Sequence, residues 1–141
     1  MAKSRSEIDD RFKWAVNDIF ESDKAWNDDY AVLLEQCRKE SPYQGKIGDG
    51  AINLAGVLEE ENEEEFRCER LYVYAFMKYY EDTANPVYQE MSGKAQMLAV
   101  NLSEKYSFVE PEINAVDDEV MKSFMEDDRV KPYNHLLSDM L

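Results

Sequence analysis

The sequence predicts an all-α protein, an antiparallel bundle of about five to six helices that follows an irregular amino-terminal lead-in. Three observations lead to this prediction. Apolar residues recur at three- and four-residue steps through most of the chain. Five Gly and four Pro in 141 residues exclude a disordered or fibrous chain. No two segments resemble strands that could pair with each other. We expect one domain over residues 1–141, with the lead-in at 1–21 and helices over 22–141.

The lead-in offers apolar side chains that can pack on the helices after it. They are Phe12, Trp14, Val16, Ile19 and Phe20. Ser22 or Asp23 can then cap the first helix, because short polar side chains accept hydrogen bonds from the free N–H groups of a helix start. One stripe of that helix carries Trp26, Tyr30, Leu33, Leu34 and Cys37. Ser41-Pro42 is expected to end it, since proline cannot continue the hydrogen-bond ladder.

A loop over residues 43–48 precedes a shorter predicted helix that Asp49 can cap. Its expected inward residues are Ile52, Ala55 and Leu58, with Val57 as a further candidate. Gly56 lies inside this helix and weakens the helical preference.

Six of the seven residues from Glu59 to Glu65 are glutamate. Like charges four residues apart disfavour an isolated helix, so the run predicts a solvated turn followed by a helix start. Cation binding is the alternative interpretation.

The strongly apolar segment from Phe66 to Tyr80 fits either a helix or a buried strand by periodicity alone. A helix is favoured because no turn signal separates Phe66 from Arg70 and because no partner strand exists.

The next helix has a clear start, with Asn85 as the N-cap and Pro86 at the first helical position. It is predicted to run about 22 residues to Ser107, roughly 33 Å at the α-helical rise. Its apolar stripe consists of Val87, Met91, Ala95, Leu98 and Leu102.

Two shorter helices are predicted after it. Pro111 begins a short turn, and Asp117 caps a helix with Val120, Met121, Phe124 and Met125 inside. The last helix follows Pro132, and its stripe is Tyr133, Leu136, Leu137 and Met140. Because that stripe continues to the final residues, we expect a partner or a continuation of the chain there.

The net charge of −15 argues against several classes of partner. It repels nucleic-acid phosphates and anionic lipid, and it attracts cations or basic peptides. The sequence contains neither an apolar signal segment nor a transmembrane stretch, so a soluble cytoplasmic protein is expected. Cys37 and Cys68 lack C-x-x-C spacing, and reduced, buried thiols are favoured over a disulfide.

The sequence predicts no catalytic, metal-binding or cofactor-binding residue. Zinc hydrolysis typically needs two histidines four residues apart with a glutamate between them, and His135 is the one histidine. It is interpreted as a surface or helix-end residue. Neither cysteine has a visible base beside it. The acidic groups 117–119 and 126–128 lack the pattern of a calcium loop and fit helix capping and solvation.

Methionines and tyrosines allow a second interpretation besides core packing. Methionines at helical spacing can form an adaptable binding surface, and tyrosines suit peptide contact. The residues concerned are Met91, Met97, Met121, Met125, Met140 and the tyrosines from Tyr72 to Tyr80. Core packing is the favoured interpretation for most of them.

Two signatures carry a family resemblance: Asp82-Thr83-Ala84-Asn85-Pro86-Val87-Tyr88-Gln89 and Ser107-Phe108-Val109-Glu110-Pro111-Glu112-Ile113. In their order and spacing the chain resembles the amino-terminal region of oligoendopeptidase F, a zinc metallopeptidase of the thimet-oligopeptidase type. Further residues stand in the order of that family: Trp14 with Asp18-Ile19-Phe20, Trp26, Tyr43-x-Gly45-Lys46, and Tyr133 with Leu137.

The resemblance implies a parent enzyme that cleaves short unstructured peptides with a single zinc. It implies that the amino-terminal helical region forms one wall over a deep cleft and keeps folded proteins from the metal. The zinc would belong to an H-E-x-x-H helix in a carboxy-terminal catalytic domain, which is absent here. No family catalytic residue matches a position in this chain. The matching residues are expected to be scaffold: Asp82, Thr83, Asn85, Pro86, Tyr88, Ser107, Phe108, Pro111 and Glu112.

Two alternatives stay open at this point. The chain can be a free-standing acidic helical module that binds a partner through its carboxy-terminal stripe or its aromatic face. It can also hold basic peptides by itself, with an affinity that salt weakens because charge attraction is screened.

Overall fold

The computed structural model describes residues 3 and 5–140, and the described residues form helices without any strand. The all-α prediction is therefore confirmed. The α-helices are α1 (Asp23–Cys37), α2 (Ala51–Glu81), α3 (Pro86–Lys105), α4 (Val109–Asn114), α5 (Asp118–Met125) and α6 (Asn134–Met140). Residues 1, 2 and 4 of the predicted lead-in and residue 141 of the last predicted helix lie outside the described residues.

Helix α2 is the central element of the fold. Its 31 residues extend about 46 Å at the α-helical rise. Helix α3 returns antiparallel along α2 after a short turn at residues 82–85, and α1 contacts both of them. The fully buried Trp26 ties α1 to the middle of α2, since its indole N–H donates to the carbonyl of Leu71 at 2.8 Å.

The predicted turn in the glutamate run is wrong, because α2 continues through residues 59–65 without interruption. Glutamate has a good intrinsic helix preference, and packing contributes most of a helix's stability in a protein. Here the apolar stripe continues in phase on both sides of the run. Glu64, which is 8% exposed, lies in that stripe and has a cationic partner. The other glutamates of the run are exposed or half-buried.

The start of α2 also differs from the prediction. Gly50 is the N-cap, while Asp49 belongs to a 3-10 turn at Ile47–Asp49 and does not cap the helix. Ile52, predicted to face inward, is 60% exposed, and Leu54 is fully buried instead. Ala55, Val57 and Leu58 are buried as predicted. Leu54 lies one turn before Leu58 on that face, whereas Ile52 points to another side of the helix.

The starts of α1, α3 and α5 have the N-cap residues that the sequence predicts. Ser22 caps α1, with its hydroxyl accepting from the N–H of Ala25 at 3.1 Å, and Asn85 and Asp117 cap α3 and α5 in the same manner. Helix α1 ends at Cys37, earlier than the predicted end at Ser41-Pro42.

Some predicted helix ends and inward positions are wrong. Helix α3 ends at Lys105 and α4 begins at Val109, before Pro111. Three residues of the predicted stripes are exposed rather than inward: Val87, Val120 and Leu136. Each lies near the edge of its helix's buried face, where hydrophobic spacing does not decide the orientation.

The lead-in contains 3-10 turns at Arg5–Glu7, Asp10–Phe12 and Val16–Asp18. Val16 and Phe20 are buried as predicted, whereas Phe12 and Trp14 are 76% and 54% exposed and do not anchor it. Phe20 packs edge-on against Tyr74, and the guanidinium of Arg70 lies 5.0 Å from the Phe20 ring centre.

Gly56 is required by the loop that precedes α2. The ring of Tyr43 crosses α2 at this point, and a Cβ atom at residue 56 would lie 2.5 Å from Tyr43 Cζ. The glycine therefore creates the space that seats the loop on the helix. Gly93, in the middle of α3, has no heavy atom within 4 Å of the equivalent position.

We predict that Gly56→Ala lowers the free energy of unfolding by about 1–2 kcal/mol, because displacing the Tyr43 ring outweighs the gain in helix preference. In a Tyr43→Ala background the same change should become stabilising by about 0.5–1 kcal/mol. Gly93→Ala is the control and should stabilise the wild-type protein by a similar amount. Urea unfolding of these variants measures this. A stabilising Gly56→Ala in the presence of Tyr43 would contradict the proposed role of the glycine.

Candidate functional site

A buried charged cluster joins the two long helices. The Lys105 ammonium, at the end of α3, contacts both carboxylate oxygens of Glu64 at 2.9 Å, and Glu60 lies 3.8 Å away. The side chains of Lys105 and Glu64 are 5% and 10% exposed. Glu60 in turn accepts a hydrogen bond from the hydroxyl of the buried Ser41 at 2.7 Å. The loop after α1 is thereby connected to the same cluster.

A second layer of contacts connects the cluster to α1. Lys105 also donates to the backbone carbonyl of Gln36 at 3.4 Å. The side-chain oxygen of Gln36 accepts from Arg67 at 2.8 Å, and Arg67 pairs with Asp29. The cluster thus links α1, α2 and α3 through charged hydrogen bonds, which are stronger than neutral ones.

A groove of about 540 Å³ lies next to this cluster, between α2, α3, α4 and the end of α6. Its volume falls within the range of ordinary ligand sites. The residues that line it are Glu61, Glu65, Cys68, Glu69, Tyr72, Ala99, Leu102, Ser103, Tyr106, Ser107, Val109, Glu110 and Met140. Its base is apolar and buried at Cys68, Leu102 and Val109.

The rim of the groove is acidic, with no lysine, arginine or histidine in the lining. Glu61, Glu65 and Glu69 follow one another on successive turns of α2. Burial, and next the negative charge of Glu65, raise the pKa of Glu61 to about 7. A carboxylate that holds its proton near neutral pH without a cationic neighbour is poised to respond to an incoming cation.

Tyr106 separates the groove from the charged cluster. The residue is 5% exposed, and its buried hydroxyl lies beside Glu64. Burial and the charges of Glu64 and Glu60 raise the pKa of this phenol strongly, so it stays neutral. The Lys105 ammonium lies 4.9 Å from the centre of its ring.

The sequence carries a signal for these buried glutamates that the prediction of a solvated turn overlooked. Steps of four, three, four and three residues connect Val57, Glu61, Glu64, Cys68 and Leu71 on one face of α2. Glutamates in phase with a core stripe must be buried or half-buried. Lys105, a lone basic residue near the end of the α3 stripe, is their matching cation on the neighbouring helix.

The two cysteines are free thiols, with Cys68 buried and Cys37 half-buried. Burial and the charge of Glu64 raise the pKa of Cys37 to about 11, and burial also raises the pKa of Cys68. Thiols of this kind are poor nucleophiles at neutral pH.

His135 is a surface residue, since its side chain is 93% exposed, and its Nδ1 lies 3.2 Å from Asp139. Within residues 3 and 5–140 no group of three or more His, Cys, Asp or Glu side chains is placed to hold a metal ion. In the carboxylate group at 126–128, Asp127 pairs with Arg129 two residues later.

The residues of the first family signature organise the turn between α2 and α3. Asp82 ends α2, and Asn85 and Pro86 begin α3. The carbonyl of Thr83 accepts a hydrogen bond from the side chain of Gln89 at 2.8 Å. Tyr88 is half-buried, with the Lys78 ammonium 5.6 Å from its ring centre.

The second signature is joined to the Tyr43-x-Gly45-Lys46 loop. Glu112 of α4 accepts a hydrogen bond from the backbone N–H of Gly45 at 2.7 Å, across 67 residues of sequence. Gly45 has a φ of 76°, a left-handed conformation that favours glycine. Ser107 donates to the carbonyl of Glu104 near the end of α3, and Phe108 precedes α4.

The methionines and tyrosines divide between core and surface. Met91 and Met121 are buried, whereas Met97 is 60% exposed and Met140 lines the groove. Tyr74 is buried, and its hydroxyl donates a hydrogen bond to the carboxylate of Asp23 at 2.7 Å. An aromatic ladder of stacked and tilted rings runs along the second half of α2 and consists of Tyr72, Phe76, Tyr79 and Tyr80.

The composition of the groove suits the binding of a ligand. It combines an apolar base with a rim of negative charge and the hydroxyls of Ser103 and Ser107.

None of the helices formed by residues 3 and 5–140 is both long and apolar enough to span a bilayer.

No family model matches the chain. Several individual proteins do match it. Oligopeptidase PepF of Bacillus subtilis (strain 168) is 32% identical over 137 residues, which cover 96% of this chain and 20% of that protein. The plasmid oligoendopeptidase F of Lactococcus lactis subsp. cremoris is 34% identical over 138 residues, covering 96% of this chain and 23% of that protein. The resemblance to oligoendopeptidase F is therefore confirmed, and the chain spans about a fifth to a quarter of the length of these relatives.

Solved structures agree with this result. The crystal structure of oligoendopeptidase-F from Enterococcus faecium has a TM-score of 0.75 and 28% identity, covering 84% of this chain and 24% of that one. A Chlamydophila abortus protein provisionally assigned as a peptidase has a TM-score of 0.86 over 99% of this chain and 24% of its own. Its identity of 21% supports the fold alone.

We predict that Lys105→Met lowers the free energy of unfolding by about 3 kcal/mol, because it leaves the buried Glu64 without its cation. Lys122→Met is the control, since Lys122 makes a similar ion pair with Glu119 at 2.7 Å but is 69% exposed. It should change stability by less than about 1 kcal/mol. Equal effects of the two substitutions in urea unfolding would show that the cluster is not a stabilising centre.

We predict that Glu61→Gln stabilises the protein at pH 8 by about 1 kcal/mol, after allowance for solvent screening, and has little effect at pH 4. The native state holds the Glu61 proton more tightly than the unfolded chain, because the pKa rises from 4.5 to about 7. Stability is therefore lost as the pH rises through this window. The exposed Glu63, changed to Gln, is the control. Thermal unfolding of both variants between pH 4 and pH 8 measures this. The same dependence of stability on pH in the two variants would contradict the prediction.

Proposed function

We propose that this chain is the amino-terminal helical part of a zinc metallopeptidase similar to oligoendopeptidase F, where it forms one wall of the cleft that admits short peptides. The observation that carries the proposal is the similarity of 96% of the chain to parts of named oligopeptidases. The partner is then the carboxy-terminal catalytic part of the same enzyme, and the location is the cytoplasm.

The described residues do not fit a zinc site, because the single histidine is exposed and no cluster of ligands surrounds it. In the proposal the zinc belongs to the catalytic part, where it supplies an activated water for peptide hydrolysis. This chain contributes one rigid wall of the cleft. A rigid helical wall restricts a cleft to narrow substrates, so folded proteins are excluded by size.

An exposed apolar face on α2 supports a role inside a larger protein. Phe66, Val73 and Tyr80 are spaced seven residues apart and are 61%, 38% and 63% exposed. Residues at this spacing share one side of a helix. Exposed apolar side chains that recur on one side of a helix are typical of a surface that contacts another part of a protein. We propose that the catalytic part covers this face.

A chimeric enzyme tests the proposal. In the Lactococcus lactis oligoendopeptidase F, the matching segment of 138 residues would be replaced by this chain. We expect the chimera to cleave a short quenched fluorescent peptide within about tenfold of the unmodified enzyme, in a chelator-sensitive manner. This chain alone should not cleave it, and the chimera should not cleave folded proteins.

Phe66→Ser combined with Tyr80→Ser tests the proposed contact. The pair should lower the activity of the chimera by at least about tenfold. It should leave the melting temperature of the isolated chain nearly unchanged, because both side chains are more than half exposed. An inactive but folded chimera without these two substitutions, or chelator-sensitive cleavage by the isolated chain, would overturn the proposed function.

A further inference from the structure

We infer that the groove between α2, α3 and α4 binds a short extended peptide segment that carries lysine or arginine at alternate positions with apolar residues between them. The inference does not depend on the proposed function, since it rests on the groove of this chain alone.

The charges of the groove are unbalanced in a way that fits a cationic ligand. Four glutamates line it: Glu61, Glu65, Glu69 and Glu110. None of them forms an ion pair within residues 3 and 5–140, although many other carboxylates of the chain do. The lining contains no basic side chain. A bound lysine or arginine would neutralise charges that currently repel one another.

The spacing of the glutamates selects an extended ligand. Glu61, Glu65 and Glu69 are four residues apart on α2, so their Cα atoms advance by about 6 Å at each step. In an extended peptide, alternate side chains point to the same side and are about 6.6 Å apart. A peptide that runs along α2 can therefore place a cation beside each glutamate in turn.

The base of the groove offers contacts to the residues between the cations. Cys68, Leu102 and Val109 are almost fully buried beneath it, and the half-buried Tyr72 and Met140 stand at its sides. Apolar side chains of a ligand would gain contact area there.

Tyr106 forms part of the wall of the groove. It is only 5% exposed, and its hydroxyl is buried on the side of Glu64, out of reach of a ligand in the groove. The ring is therefore the part of Tyr106 that a ligand would contact, and a rigid aromatic ring suits contact with a peptide.

Binding should be linked to the proton on Glu61. The groups that face this carboxyl are Glu65 and Cys68 of α2, Tyr106 after α3, Glu110 of α4 and Tyr133 before α6. All of them are acidic or neutral. A ligand cation would be the first positive charge beside Glu61 and would favour its ionised form. Affinity is therefore expected to rise between pH 6 and 8, through the pKa of about 7.

The test uses the complete 141-residue chain and a fluorescent peptide with the sequence Lys-Leu-Lys-Leu-Lys, capped at both ends. Anisotropy at pH 7.5 and low salt gives the affinity. The variant Glu61→Gln/Glu65→Gln removes two charges from the groove. The matched control Glu59→Gln/Glu63→Gln removes two charges, also four residues apart, from the exposed side of the same run.

We expect the groove variant to bind at least about tenfold more weakly and the control variant to bind within about twofold of the wild type. The peptide Lys-Lys-Lys-Leu-Leu has the same charge and composition but lacks alternation, and it should bind several-fold more weakly to the wild type. The groove variant should melt no lower than the wild type, so lost binding would not reflect unfolding.

Three outcomes would overturn the inference. Equal weakening by the two variants would mean that net charge alone attracts the peptide. Equal affinity for the two peptides would exclude the extended arrangement along α2. An absence of saturable binding to the wild-type chain up to millimolar peptide would exclude the site. None of these outcomes bears on the peptidase proposal, which the chimera tests separately.

Discussion

One lysine buried between two helices holds the bundle in its observed arrangement. The Lys105 ammonium is bound by Glu64 and lies close to Glu60 and to the last turn of α1. A charge removed from water is costly unless it is paired and hydrogen-bonded. The ends of α1 and α3 and the middle of α2 must therefore meet at this one point. The same pairing lets α2 pass through a run of six glutamates as a continuous helix.

Loop contacts complete the arrangement that the charged cluster begins. Tyr43 occupies the space above Gly56, and Gly45 donates its N–H to Glu112 on α4. These contacts attach the loop between α1 and α2 to both a long helix and a short one. Most residues that resemble oligoendopeptidase F set helix ends and loop attachments, while Ser107, Val109 and Glu110 of the second signature also line the groove.

The two proposed surfaces border each other on α2 and have different chemistry. The stripe of Phe66, Val73 and Tyr80 is apolar and exposed, which suits a permanent contact with a larger protein. The groove is acidic with an apolar base, which suits a reversible cationic ligand. Glu69 of the groove lies three residues after Phe66 and four residues before Val73, so the edge of the groove adjoins the apolar stripe.

Residue order and short-range chemistry were enough to predict the helical class, the caps at Ser22, Asn85 and Asp117, and the likeness to oligoendopeptidase F. They were not enough for the glutamate run, since local like-charge repulsion predicted a turn. The packing of α3 on α2 brings Lys105 to Glu64, across 41 residues, and this long-range pairing decides that the helix continues. The groove depends on packing in the same way. Its acidic rim belongs mainly to one helix, while its base and far side come from elements much later in the chain.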